Sequence, residues 1–123
     1  MKKQNLNGIY SIVLGFSIVL LWIILLKGNK VTEGKTEMVF HLFSEFLMAT
    51  LCILSGFKIL MKHRSAVPLN TIAHSMVIYS LLNAAGYYRE KGEIPATILF
   101  LALLLISSAI IIFNLYYLRN NKK

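Results

Sequence analysis

Apolar residues fall into four long runs that are separated by short polar segments. The runs extend over about residues 8–26, 38–61, 68–88 and 94–118. Each run is long enough to cross a hydrocarbon layer of ~30 Å as an α-helix, which takes roughly 20 residues. The pattern therefore predicts four membrane-spanning helices in one membrane domain that covers residues 1–123.

The polar segments between these runs are short, at about five to eleven residues, which is the usual length of a connection between packed helices. Such short connections make consecutive helices antiparallel neighbours. The sequence therefore predicts an all-α, integral membrane, up-down-up-down four-helix bundle. The third run is the least apolar, so we expect its helix to be the one most enclosed by protein.

The composition agrees with a membrane protein. Hydrophobic residues make up 57% of the chain and charged residues only 15%, whereas a soluble domain carries roughly 25% charged residues. A chain this apolar has too little polar surface to cover itself in water. A soluble enzyme is therefore close to excluded.

The net charge of +8 comes from basic residues that lie between the apolar runs. That position indicates contact with lipid headgroups and not with nucleic acid. If the N-terminus is inside, the basic residues of the inner side are Lys2, Lys3, Lys58, Lys62, Arg64, Arg119, Lys122 and Lys123. Those of the outer side are then Lys27, Lys30, Lys35, Arg89 and Lys91. This bias predicts a multi-pass plasma-membrane protein with both termini cytoplasmic.

Glu45 is the one acidic residue inside an apolar run. A carboxylate about two turns below the membrane surface must be protonated, paired or in contact with water. At 100° per residue, it shares one stripe of the second helix with the residues His41, Met48, Cys52 and Ser55. We expect this stripe to be a polar seam that faces the protein interior.

The third helix carries two polar stripes. One of them consists of Ser75, Tyr79, Asn83 and Gly86, and the other of Asn70, His74, Leu81 and Ala85. Counted along antiparallel helices at ~1.5 Å per residue, Asn83 comes level with His41 and Tyr79 level with Glu45.

These levels predict a ligand-binding or proton-exchanging cluster of His41, Glu45, Tyr79 and Asn83 in the outer half of the membrane. Secondary polar candidates are His74, Ser75 and Tyr87. His74 lies deeper than the cluster. The groups within its reach are those of Ser107 or Thr97 on the fourth helix, or the small-residue stripe Gly8, Ser11 and Gly15 on the first.

The cluster has several interpretations. A purely structural hydrogen-bond network needs no function, since polar pairs between membrane helices are common. A metal site is a weaker hypothesis: His41 and Glu45, four residues apart, supply two ligands, while His74 is too deep to be the third that zinc catalysis needs. No cofactor is indicated.

Proton-linked binding or transport is a further interpretation, in which Glu45 exchanges a proton for a cation or small ligand while His41 shares that proton. The small multidrug transporters are also four-helix chains with an essential membrane glutamate, but theirs is in the first helix. A membrane enzyme or redox partner acting on lipid or quinone would use Tyr79, His41 and Glu45 as acid and base. Cys52 has no basic neighbour and is expected to be inert.

Two segments carry a resemblance to known proteins. The segments HLFSEFLMATLCILSG (residues 41–56) and AHSMVIYSLLNAAGYY (residues 73–88) resemble small uncharacterised prokaryotic four-helix membrane proteins. Those proteins have a similar His-Leu-x-x-Glu-Phe start and a similar Tyr with a terminal Gly-Tyr. The overall shape also resembles the DoxX-like proteins, some of which are linked to quinone or thiol redox chemistry. The resemblance points to His41, Glu45, Tyr79, Gly86 and Tyr87.

The sequence therefore favours a small membrane protein that binds or transports a small ligand or ion around Glu45. A non-catalytic accessory or assembly subunit is the first alternative, with the small-residue face of Gly8, Ser11 and Gly15 as its partner surface. A membrane enzyme is the second. Assembly into a homo-oligomer is compatible with all three, because one bundle of this size has limited interior.

Overall fold

The computed structural model describes residues 2–28 and 34–122, and they form four α-helices with no strand among them. The helices are α1 (Lys2–Lys27), α2 (Lys35–Leu60), α3 (Ala66–Glu90) and α4 (Ile94–Asn120). The all-α prediction is confirmed. Lys30 and Lys123, which entered the charge comparison between the two sides, lie outside the described residues.

The helices are longer than the apolar runs that predicted them. α1 begins at Lys2 and not near Gly8, and α3 ends at Glu90 and not near Tyr88. Polar side chains at a helix end do not interrupt the backbone hydrogen bonds, so the helix continues past its apolar part. Pro95 lies in the first turn of α4, where its missing N–H group has no helical acceptor to lose.

Three of the four helices, α1, α2 and α4, are long and apolar enough to cross a membrane. α3 is not among them, so the expectation of four spans is met for three helices. The reason lies in the polar side chains of α3, which lower its mean hydropathy. α3 nevertheless has more buried side chains than any other described helix.

The chain divides into two compact units, Met1–Ala66 and Val67–Lys123. α1 and α2 form the first unit, called hairpin 1 here. A Cβ atom placed on Gly15 would lie 2.7 Å from the carbonyl oxygen of Ala49, and one on Gly56 would lie 2.6 Å from the carbonyl oxygen of Gly8. The two antiparallel helices therefore pack backbone against backbone. This packing corrects the expectation that the stripe of Gly8, Ser11 and Gly15 is open to a partner, because α2 occupies it.

α3 and α4 form the second unit, called hairpin 2 here. The Nδ2 atom of Asn114 donates a hydrogen bond of 2.9 Å to Oδ1 of Asn70. At the other end, the rings of Tyr88 and Phe100 stack with centroids 5.3 Å apart. Because residues early in α3 meet residues late in α4, the two helices are antiparallel, as their short connection predicts.

α2 ends in a Schellman turn, the backbone motif that closes many helices. The N–H of His63 bonds to the carbonyl of Lys58 at 2.9 Å, and the N–H of Lys62 bonds to that of Ile59 at 3.0 Å. Lys62 consequently has a φ of 55°. This is the left-handed region, which L side chains rarely adopt.

α3 ends in the same motif. The N–H of Glu93 bonds to the carbonyl of Tyr88 at 3.0 Å, and the N–H of Gly92 bonds to that of Arg89 at 3.1 Å. Here the left-handed position is filled by Gly92, with a φ of 74°. Glycine is the residue that suits this position best, since it has no Cβ atom to clash.

Candidate ligand site at Glu45

Glu45 is held by a tryptophan of the neighbouring helix. The indole Nε1 of Trp22 donates a hydrogen bond of 3.2 Å to Oε2 of Glu45. Trp22 is 8% exposed, and the side chain of Glu45 is 12% exposed. A carboxylate on a candidate span thus lies in a largely enclosed position and receives a direct N–H donor from the other helix of hairpin 1.

His41 completes the group on the same face of α2. Its Nε2 atom lies 3.9 Å from Oε1 of Glu45, and its ring meets the ring of Trp22 edge to face, with centroids 4.9 Å apart. The His41 side chain is 41% exposed. The imidazole therefore lies between the enclosed carboxylate and the surface. We call Trp22, His41 and Glu45 the Glu45 site.

The close packing of α1 and α2 sets the register of the Glu45 site. Gly15 on α1 lies against Ala49 on α2, which is one turn beyond Glu45. With the two backbones this close, the bulky Trp22 falls level with Glu45 further along the same interface. A buried indole N–H needs an acceptor, and the carboxylate provides one.

Trp22 is the residue of the Glu45 site that sequence reasoning missed. The signal that could have found it is a hydrogen-bond donor and an acceptor, one on each of the first two helices, that both require a partner. The chain has one Trp, whose indole needs an acceptor, and one acid inside an apolar run, which needs a donor.

The remainder of the α2 stripe is buried, as predicted for an interior seam. Met48, Cys52 and Ser55 are all buried, and the Ser55 hydroxyl donates a hydrogen bond of 3.1 Å to the carbonyl oxygen of Cys52 in its own helix. Cys52 is a free cysteine. Its enclosed thiol has no path to an external reagent, which agrees with an inert packing role.

The stripe of α3 that contains Tyr79 is exposed. Tyr79 is 73% exposed, and Ser75 and Asn83 are exposed as well. The buried stripe is the other one, which contains Asn70 and His74. Tyr79 therefore lies on the exposed side of α3, opposite the buried Asn70 and His74. That Tyr79 and Asn83 share hydrogen bonds with Glu45 stays a prediction.

The secondary polar candidates also find defined positions. His74 is fully buried, and its Nδ1 atom forms a hydrogen bond of 3.1 Å with Oγ of Ser107, so one of the predicted partners of His74 is confirmed. The Ser75 hydroxyl donates to the carbonyl of Thr71 in its own helix.

Tyr87 lies at the end of α3, and the ammonium group of Lys91 lies 4.3 Å from its ring centroid. Hydrogen bonding to Tyr87 raises the pKa of Lys91 above its usual value. This contact belongs to the connection between α3 and α4 and has the geometry of a cation–π interaction.

A catalytic zinc site needs three protein ligands. Within residues 2–28 and 34–122, no three His, Cys, Asp or Glu side chains come together in a way that could hold a metal ion. His41 and Glu45 remain a pair with an indole N–H beside it, and an N–H is a donor that cannot ligate a cation.

One family model matches the chain, and it covers residues 1–123. Its description is a domain of unknown function. Comparisons with curated proteins and with solved structures found no match. The resemblance of residues 41–56 and 73–88 to small four-helix membrane proteins is not tested by this result. Because the family model spans the whole sequence, the chain belongs to the DUF8058 family.

Proposed function

We propose that this protein is a multi-pass plasma-membrane protein with both termini cytoplasmic, which binds or moves a small cation or protonated ligand at Glu45. The observation that carries the proposal is the position of the Glu45 carboxylate. It lies on a helix apolar enough to span a membrane, is 12% exposed, and accepts a hydrogen bond of 3.2 Å from Trp22.

The free-energy cost of placing a carboxylate inside a membrane span favours a functional role for Glu45. A carboxylate inside a span costs a few kcal/mol on insertion scales, about 2.5–3.5 at the helix centre. A hydrogen bond between two helices could be made by a neutral Asn or Ser at much lower cost. The indole N–H stabilises the carboxylate but brings no positive charge to it. The site therefore suits a cation or a proton.

His41 supports a proton-linked mechanism. Its Nε2 atom lies 3.9 Å from the carboxylate, and its side chain is considerably more exposed than that of Glu45. An imidazole can accept or donate a proton near neutral pH. In the proposed cycle, the arriving cation displaces the proton of Glu45, and His41 passes that proton towards water.

The alternatives have less support. The accessory-subunit hypothesis relied on the face of Gly8, Ser11 and Gly15, which is packed against α2. The enzyme hypothesis relied on Tyr79 as an interior acid or base, and Tyr79 is 73% exposed. Neither hypothesis explains why α2 carries a carboxylate at this depth.

Trp22 provides a direct test, since it is the only tryptophan in the chain and it touches Glu45. The purified full chain in detergent is titrated with Na⁺ and, separately, with tetraphenylphosphonium in unbuffered solution. Proton release and Trp22 emission are recorded together. We expect saturable proton release and an emission change with at least one of these two cations.

The matched variants are Glu45→Gln and Glu37→Gln, which both neutralise an acid of α2. Glu37 lies in the exposed first turn. Glu37→Gln should respond as the wild type does, and Glu45→Gln should release no protons. If the wild type gives no release with either cation, or if Glu45→Gln retains it, the proposal is wrong.

A further inference from the structure

We propose that one end of hairpin 1 is a binding surface for the phosphate groups of anionic lipids. Its basic residues, named the basic end, are Lys2, Lys3, Lys58, Lys62 and Arg64. This proposal does not depend on the Glu45 site, because Glu45 lies towards the other end of α2.

The packing of α1 against α2 brings these residues to the same end. A Cβ atom on Gly8 would lie 3.1 Å from Cγ2 of Ile59 and 3.2 Å from Cδ2 of Leu60. The first turns of α1 therefore lie beside the last turn of α2 and the connection that follows it. Residues 2–10 and 56–66 contain no Asp or Glu, so the positive charge of this end is not offset by its own acids.

The connection after α2 is held in one conformation by its own hydrogen bonds. The backbone N–H of Ser65 donates to Nδ1 of His63 at 3.2 Å. The same Nδ1 atom forms a hydrogen bond of 2.9 Å with the Ser65 hydroxyl. The ammonium group of Lys58 in turn donates to the Ser65 hydroxyl oxygen at 3.1 Å. This chain of bonds fixes the backbone that carries Lys62 and Arg64, whose side chains are exposed.

Lys62 occupies a position that favours a different residue type. The Schellman turns that end α2 and α3 each have a left-handed residue, with a φ of 55° at Lys62 and 74° at Gly92. Glycine fills this position most easily. At the end of α2 the chain has a lysine instead. The lysine adopts a backbone conformation that is less favourable for it than for glycine, and it adds one more cation to the basic end.

The apolar surface beside these charges favours a lipid over a free phosphate ion. Leu6, Leu60 and Met61 are exposed, and they lie in the turns that border the basic residues. Basic groups next to exposed apolar side chains match a molecule with a phosphate and acyl chains. α1 and α2 are both candidate spans, and basic residues at the ends of spans lie at the level of lipid headgroups.

The test uses the purified full chain in a neutral detergent. Dioleoyl phosphatidylglycerol, dioleoyl phosphatidylcholine and sodium phosphate are added in separate arms, and binding is followed by native mass spectrometry and by the shift in melting temperature. We expect phosphatidylglycerol to bind most tightly, with an affinity that falls as salt is raised from about 0.05 M to about 0.5 M.

The variants distinguish the effect of the basic end on lipid binding from the effect of the net charge of the protein. Lys62→Gly and Arg64→Gln should each weaken phosphatidylglycerol binding about fivefold, since each basic group near a lipid surface contributes a comparable attraction. The control variants Lys27→Gln and Lys35→Gln remove the same charge from the opposite end of hairpin 1. They should bind as the wild type does.

Three results would overturn the proposal. Equal binding of phosphatidylcholine would mean that the headgroup charge is irrelevant. Equal losses in the control variants would mean that only the net charge matters. Displacement of phosphatidylglycerol by sodium phosphate at millimolar concentration, or binding of phosphate without the lipid, would identify a free-phosphate site instead of a lipid surface.

Discussion

The indole N–H of Trp22 donates a hydrogen bond of 3.2 Å to Oε2 of Glu45, and this contact joins α1 to α2. Each residue meets a requirement of the other. A buried indole needs an acceptor, and a carboxylate on an apolar helix needs a donor. The pair therefore joins the two helices of hairpin 1 and fixes the position of the carboxylate.

This relationship predicts energetic coupling between the two residues. Trp22→Phe removes the donor and should lower the free energy of unfolding by about 1–3 kcal/mol, the range when a buried polar group loses a hydrogen-bond partner. In a double-mutant cycle with Glu45→Leu, the coupling should be about 0.5–2 kcal/mol. Thermal unfolding in detergent, followed by circular dichroism, measures all four proteins. Purely additive losses would show that the two side chains do not interact.

A second prediction concerns the helix interface that sets the register of the site. Gly15→Ala places a Cβ atom 2.7 Å from the carbonyl oxygen of Ala49 and 2.6 Å from Cγ1 of Ile53, so the helices must separate. We expect a loss of about 1–3 kcal/mol, as for other overpacked interiors.

The matched control for Gly15→Ala is Gly86→Ala on α3, because an added Cβ there meets nothing within 4 Å. Alanine is the better helix former by about 0.5–1 kcal/mol, so Gly86→Ala should raise the melting temperature. If both substitutions shifted the melting temperature in the same direction, the close packing of α1 and α2 would not be the cause.

The helices were predictable because long apolar runs set both the existence and the approximate length of a membrane helix. The ends of the helices were less predictable, because residues 2–7, which are polar except for Leu6, continue α1. On α3 the sequence offered two polar stripes, and polarity alone could not choose between them. The buried stripe contains Asn70 and His74, which form hydrogen bonds with α4, whereas Tyr79 is exposed.

For the candidate site, the sequence identified Glu45 and His41, since a charge inside an apolar run and a spacing of four residues are visible in one segment. Trp22 lies 23 positions away, and its approach depends on the register that Gly15 permits. That register is set by contacts between the two backbones. The sequence pattern of a single helix does not predict such contacts.

A third prediction concerns the buried amides of hairpin 2. Asn114 and Asn70 are fully buried and share a hydrogen bond of 2.9 Å. Asn114→Leu should lower the free energy of unfolding by about 1–2 kcal/mol, because the Asn70 carbonyl loses that donor. The double variant with Asn70→Leu should lose less than Asn114→Leu alone, since it also removes the acceptor that has lost this donor.

Ser108→Ala is the control for this pair. The Ser108 hydroxyl donates a hydrogen bond to the carbonyl of Leu104 in its own helix. Ser108→Ala should change the free energy of unfolding by about 0.5 kcal/mol at most. A double variant less stable than Asn114→Leu would contradict the role assigned to the amide pair.

The last prediction uses the two Schellman turns, which should respond with opposite signs. Lys62→Gly removes the strain of a side chain at a left-handed φ of 55°. We expect the free energy of unfolding to rise by about 0.5–1 kcal/mol, a net value that includes the greater flexibility of glycine in the unfolded chain. Gly92→Ala forces a side chain into a φ of 74° and should cost about 1 kcal/mol. Melting temperatures in detergent measure both.

The Lys62→Gly substitution both removes backbone strain and removes a charge. A Lys62→Gly protein that is more stable but binds phosphatidylglycerol more weakly would separate these two effects. If Lys62→Gly instead lowered the melting temperature, the lysine side chain would be needed for stability, and its unusual conformation would no longer argue for lipid binding.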